Sequence, residues 1–221
     1  MPTEMEKYRV KANLLNFRQG SSIRDAVIGH LRKNDVIEKI SESKDGNWIK
    51  TTIGSAEGWV SKKYLTKLPY IPGPNEDFFW MAIAEKEKGV KEVPGVGVNP
   101  RVLEYLQAAT DLSRLAESRD ETPWCSAFVN WCLKQAGYAG TNSAAARSWL
   151  DWGRAIEVPR RGCIVVFSRG PRFGHVGFYL DETETDIMVL GGNQDNPQTR
   201  ISEVNERPYS KSRLLGYRIP G

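Results

Sequence analysis

With 221 residues, 40% of them hydrophobic and 26% charged, the chain has room for one large domain or two modest ones and the balance of a globular protein with a substantial core. Three widely spaced cysteines with no Cys-x-x-Cys pair, beside only two histidines, exclude a disulfide framework and a zinc site; free thiols, no metal and no cofactor are expected. No apolar stretch approaches the roughly 20 residues that cross a bilayer, and no apolar run follows a basic start at the N-terminus, so neither membrane insertion nor a Sec signal is expected.

The net charge of +4 is unevenly spread. Residues 1–67 carry 13 Lys and Arg against 8 Asp and Glu, a local +5, whereas the remainder carries 18 against 19, or −1. The basic excess suits an anionic polymer or, more simply, a solvated surface.

In chain order, short β-type runs come first: Val36 to Ile40, a turn at Lys44-Asp45-Gly46-Asn47, Trp48 to Thr52, a turn around Gly54, then Gly58-Trp59-Val60. They predict a small all-β barrel or sandwich over residues 1–67. Three prolines within Leu68-Pro69-Tyr70-Ile71-Pro72-Gly73-Pro74-Asn75 end it, and residues 68–77 read as a linker. Beyond the linker, residues 78–221 shift to helical periods. Phe79 to Lys88 is helix-like, and Asn99-Pro100 caps a helix with Val102, Leu106 and Ala109 on its buried face. Thr122-Pro123 repeats that start signal as N-cap and first helical position ahead of Trp124 to Leu133, with a stop at Gly137. Ser143 to Trp152 predicts a fourth helix. Strands follow as a block at Cys163 to Phe167, His175 to Leu180, Ile187 to Leu190 and Gly216 to Arg218. Helices first and strands later indicate an α+β domain on an antiparallel sheet.

The reactive residues fall in this second part. A thiol with an ordinary pKa near ~8.5 supplies little nucleophile at neutral pH unless a helix N-terminus or a cation favours the thiolate. Cys125 sits within the first turn of its predicted helix, where free backbone N–H groups and the helix dipole favour negative charge. Cys132, two turns deeper, and Cys163, inside an apolar strand, read as small buried hydrophobes. The only histidine after residue 30 is His175, which makes it the one imidazole available to Cys125 as base and acid. Strand alternation sets His175, Gly177 and Tyr179 on one face. A third residue should orient the imidazole. A five-residue hairpin loop over 182–186 pairs Asp181 with Ile187 and carries His175 opposite Asn193, whereas a four-residue loop carries it opposite Gly192. Asn193 is therefore the expected orienting group, with Gln194 second. Trp124 and Gln194 are the candidate substrate contacts, while Trp131 and Trp149 are expected to pack between helices.

The segment Trp124-Cys125-Ser126-Ala127-Phe128-Val129-Asn130-Trp131-Cys132, with Gly174-His175-Val176-Gly177 and Gly191-Gly192-Asn193-Gln194 behind it, resembles the CHAP and NlpC-type cell-wall amidase and peptidase superfamily. Asn99-Pro100-Arg101-Val102, residues 143–149 and residues 211–217 are similar to a phage- and bacteria-associated branch. Two positions depart from the pattern: Cys163 stands where that branch commonly has Asp, and Gly-Gly precedes Asn193 where many CHAP enzymes have Glu. The resemblance implies a papain-like fold, cleavage of an amide bond in peptidoglycan, and Cys125 and His175 as nucleophile and base. Leu15 to Ser22, residues 46–50 and residues 58–65 resemble a bacterial SH3-like module, which implies attachment to wall peptides.

Peptidoglycan is thus the expected partner, and nucleic acid is not. Without a Sec signal the chain is expected to reach the wall through holin-dependent lysis or a dedicated secretion system, the latter with an immunity protein. A deamidase acting on protein amides and a non-catalytic wall-binding protein are the competing readings.

Overall fold

The computed structural model describes residues 6–68, 73, 76–95, 97–113 and 122–221. The chain divides into two compact units, Met1–Tyr70 and Ile71–Gly221. Most of the predicted linker, residues 69–72, 74 and 75, lies outside the described residues.

The first unit is all β. Strands β1 (Lys7–Val10), β4 (Val36–Glu38) and β8 (Leu65–Lys67) form a three-stranded antiparallel sheet in the order β4-β1-β8. A second sheet runs β3-β2-β7-β6-β5, from β2 (Leu14–Arg18), β3 (Val27–Arg32), β5 (Ser41–Glu42), β6 (Trp48–Ile53) and β7 (Ala56–Ser61). Both predicted turns fall where the backbone needs glycine, with φ at +71° for Gly46 and +61° for Gly54. Alternation along the strands points Tyr8, Val10, Leu15, Phe17, Ile37, Ile49, Val60 and Leu65 into one small core.

Among the described residues, the second unit combines three helices with one six-stranded antiparallel sheet. The helices are α1 (Phe79–Lys86), α2 (Pro100–Leu106) and α3 (Cys125–Gln135). The sheet runs β13-β12-β11-β10-β14-β9, built from β9 (Arg154–Ile156), β10 (Ile164–Arg169), β11 (Phe173–Glu182), β12 (Asp186–Asp195), β13 (Ser202–Ser210) and β14 (Leu214–Ile219). Asn99 caps α2 by accepting from Arg101 N, and Val102, Leu106 and Ala109 are fully buried, as the sequence predicts. Phe178 on β11 takes Phe128 from α3 at 6.2 Å and Trp80 from α1 at 6.4 Å, so the helices cover the sheet face that carries Val176 and Phe178. The opposite face aligns Phe167, His175 and Tyr209.

Two expected elements differ. Residues 143–152 hold only a 3-10 turn over Ala146–Asp151, because Asp111 takes the start of the segment: its carboxylate accepts from Ser143 Oγ at 2.5 Å and Ala144 N at 2.7 Å. Helix α3 starts two residues later than Thr122-Pro123 signals. Its N-cap is Trp124, whose carbonyl accepts from Phe128 N, and Cys125 is its first helical residue.

Candidate active site

Cys125 remains in the first turn after that shift, where the leading N–H groups of α3 have no partner within the helix. Along β11, N–H groups point alternately to the two neighbouring strands. Tyr179 N donates to Cys163 O on the β10 side, which turns Val176 N–H toward β12. Pairing of β11 with β12 stops at Phe178 and Leu190, so Val176 has no β12 partner there, and its N–H is one of the groups that favour the Cys125 thiolate, which places the thiol near the residue that follows His175.

His175 is fully buried, with Tyr209 stacked on its ring at 4.7 Å and 17°. Its Nε2 lies 3.0 Å from Gln194 Oε1. The orientation of that amide is set from behind, since Gln194 Nε2 donates to Asn205 O at 2.6 Å and to Asn205 Oδ1 at 3.0 Å. An amide oxygen can only accept, so the network assigns the proton to His175 Nε2 and leaves the lone pair on Nδ1. Nδ1 is buried and has no hydrogen-bond partner in the described structure.

The residue on the imidazole is therefore Gln194 and not Asn193. The β11–β12 pairing begins with Glu182 opposite Ile187 and shifts at a bulge, so that Tyr179 faces Val189 and Phe178 faces Leu190. That later register extrapolates to His175 opposite Asn193, the position the five-residue loop predicts. A second irregularity intervenes: β12 pairs Gly191 with Asn205 but Gln194 with Glu203, two residues of β12 opposing one of β13. One extra residue inverts every later side chain. Asn193, with φ at +55°, turns instead to accept from Trp124 N at 3.3 Å and to donate to Glu92 Oε1 at 3.1 Å. Of the two glycines ahead of it, Gly192 is required by close approach and Gly191 is tightly surrounded. A Cβ on Gly192 would stand 2.3 Å from the Trp124 ring, and one on Gly191 would stand 3.1 Å from Gln194 Oε1.

Trp124 lines no cleft. Its ring is fully buried against Tyr105 at 5.6 Å and Phe128 at 6.4 Å, and its Nε1 donates to Glu92 Oε1 at 2.8 Å. Glu92, Tyr209 and Asn205 were missed in the sequence. Tyr209 and Asn205 arrive on β13, a polar edge strand containing Pro208, and proline within a run is the signal that marks an edge strand. Trp131 and Trp149 do pack inside the core, Trp149 with its Nε1 on Ser126 Oγ at 2.8 Å.

Electrostatically the pair rests neutral. Burial pushes the Cys125 thiol above its ordinary value, outweighing the positive charge of Arg169 and the N–H groups of Val176, Ser126 and Cys125 itself. The helix start thus favours the thiolate without producing it. Burial also lowers His175 to about 3, with Arg169 and Arg213 acting in the same direction and Gln194 opposing. Among the described residues no group of His, Cys, Asp and Glu could hold a metal ion, and no helix is long and apolar enough to cross a membrane.

A family model for the CHAP domain matches residues 117–193, and one for the bacterial SH3 domain matches residues 13–66. Among curated proteins, none matches the chain. Among solved structures, NlpC1 from Trichomonas vaginalis is similar at 13% identity and a TM-score of 0.36, the match covering 98% of this chain and 69% of that one. NlpC2 from the same organism gives 13% and 0.36 over 98% and 73%. A lipoprotein-like NLP/P60-family protein from Staphylococcus aureus gives 19% and 0.39 over 74% and 52%.

Proposed function

We propose that this chain, in which a bacterial SH3 domain precedes a CHAP domain, a type of cell-wall peptidase and amidase, hydrolyses an amide bond in the peptide part of peptidoglycan. The observation that carries the reading is the tautomer of His175. With Nε2–H held by Gln194, the free lone pair on Nδ1 is available as a general base for the helix-start thiol of Cys125. His175 Nδ1 takes the Cys125 proton as the sulfur attacks the amide carbonyl, so that charge develops during attack in place of a preformed ion pair. The backbone N–H of Cys125 is free of the helix ladder and supports the oxyanion. His175 then returns the proton to the leaving amine as the C–N bond breaks. Water, deprotonated by the same imidazole, cleaves the thioester and frees the carboxylate. Gln194 touches no reacting atom in this scheme; it is a positioning residue that fixes tautomer and ring plane together with Tyr209. The first unit, with its local +5 charge, serves to hold the chain on the wall.

Digestion of purified sacculi by wild type, followed by mass spectrometry of the soluble products, is expected to reveal one newly freed amine and carboxylate per cut and so to identify the bond. Cys125→Ala is expected to lose at least about 10³-fold in rate while keeping its thermal unfolding midpoint. Clearing of sacculi by Cys125→Ala at the wild-type rate would overturn the assignment.

A further inference from the structure

The hairpin that leads into His175 reads Ser168-Arg169-Gly170-Pro171-Arg172-Phe173-Gly174 and contains two arginines and no acid. Arg169 closes β10 two residues beyond Phe167, the register partner of His175, and its exposed guanidinium opposes the burial that raises Tyr209, the ring stacked on that imidazole. Arg213 reaches the same place from the other side. Its Cζ stands 5.7 Å over the Tyr209 ring, and its Nε donates to Ser168 O at 3.0 Å. Arg147 braces the hairpin through Phe173 O at 3.0 Å, Gly170 O at 2.9 Å and Ser168 Oγ at 3.2 Å.

Among the described residues, none of Arg147, Arg169, Arg172 and Arg213 is in a salt bridge, whereas Arg101 and Arg161 each hold two carboxylates. A unit with 18 cationic against 19 acidic residues beyond position 67 thus concentrates unneutralised guanidinium at the one edge that borders Cys125 and His175. The partners of Arg147 and Arg213 are carbonyls, a hydroxyl and an aromatic face, which hold those side chains in place without discharging them.

We propose that Arg169, supported by Arg213, anchors a free carboxylate of the substrate peptide, so that the site selects amide bonds flanked by an acidic or C-terminal residue. The inference rests on the hydrolase reading for its meaning but is tested by binding. Planar guanidinium matches a carboxylate in a fork geometry that ammonium lacks, and a charge-assisted pair at a partly exposed site is worth about tenfold in affinity.

The test uses the full-length Cys125→Ala chain and two probes, a stem tetrapeptide with free carboxylates and the same peptide with them amidated. Calorimetry is expected to show about tenfold tighter binding of the carboxylate form. Arg169→Gln should bring the two within about twofold, and Arg169→Lys should keep part of the preference. Equal binding of the two probes, no binding of either, or a preference that survives Arg169→Gln together with Arg213→Gln would each overturn the anchor. Cleavage by the chain with Cys125 intact separates the two claims: equal cleavage of both probes leaves the hydrolase and removes the anchor. Discriminating binding without any cleavage does the reverse.

Discussion

The two units use polar chemistry in opposite ways. In the first, Thr51 is the only buried polar residue among those described, and the charged groups pair at the surface: Glu6 with Lys39 and Lys67, Lys50 with Glu57, Lys62 with Glu42. In the second, Glu87, Ser126, Asn130, His175 and Gln194 are all buried, and four of them lie on α3 or at the imidazole. Buried polar groups cost free energy unless each is hydrogen-bonded, so they persist where a geometry must be held. Asn130 is satisfied by Ser126 O, Thr141 Oγ1, Ser143 O and Asn142 N, whereas His175 keeps one nitrogen unsatisfied. The contrast separates a unit built by packing alone from one that carries an internal polar apparatus at a cost to its stability.

Acid breaks the comparison most strongly. His175 is held neutral down to about 3, while an imidazole in the unfolded chain protonates near ~6.5. Between those values the unfolded state binds the extra proton, so the native state loses stability as pH falls from about 6.5 toward 3. Between pH 7 and 4.5 the loss attributable to this residue is about 2–3 kcal/mol. Denaturant unfolding at both pH values should show a difference smaller by that amount in His175→Gln; an unchanged pH dependence would exclude a neutral buried imidazole.

The next effect sharpens the assignment of the third residue. Gln194→Ala leaves His175 Nε2–H without its acceptor, and stability should fall by about 1–3 kcal/mol with kcat reduced about tenfold to a hundredfold. Asn193→Ala removes contacts to Trp124 N and Glu92 but none to the imidazole, so its kcat should stay within about threefold of wild type. Steady-state kinetics on a soluble muropeptide decides between them, and a reversed order returns the role to Asn193.

The smallest effect belongs to the first unit. Hydrogen bonds from Lys39 and Lys67 hold the Glu6 carboxyl at about 2. Because this folded value is depressed, the stabilisation is present above the ordinary carboxylate range near ~4.5 and is lost as pH falls toward 2. The group is partly exposed, so screening limits Glu6→Gln to about 1 kcal/mol at neutral pH. A melting midpoint that does not move between low and high salt in wild type would show that the pair contributes nothing measurable.

The placement of Cys125 at a helix start and of His175 on an alternating strand was legible because each obeys a local rule of its own element. The α2 cap at Asn99-Pro100 was legible for the same reason. The signals that failed were those that depend on distant partners. Thr122-Pro123 carries a start motif, but the first helical residue is Cys125, and Trp124 N is taken by Asn193. Residues 143–152 have helical spacing, but Asp111, more than 30 positions earlier, takes the Ser143 hydroxyl and the Ala144 N–H. β13 was invisible to an apolar-alternation search because as an edge strand it exposes polar side chains and tolerates Pro208. Gln194 was displaced from Asn193 by a single unpaired residue, and the glycines at 191 and 192 were its only advance notice.

That bulge also makes chain length, in place of side-chain chemistry, the variable that selects the imidazole's companion. Deleting one of the two residues between Gly191 and Gln194 would restore the uninterrupted ladder with Gln194 still opposite Glu203, whereas inserting one more would invert Gln194 and carry it off the imidazole, with no codon at the site itself altered. Parity of the strand thus acts as a selector switch, and Gly192, with no room for a Cβ beside Trp124, is the pin that holds it in its present setting.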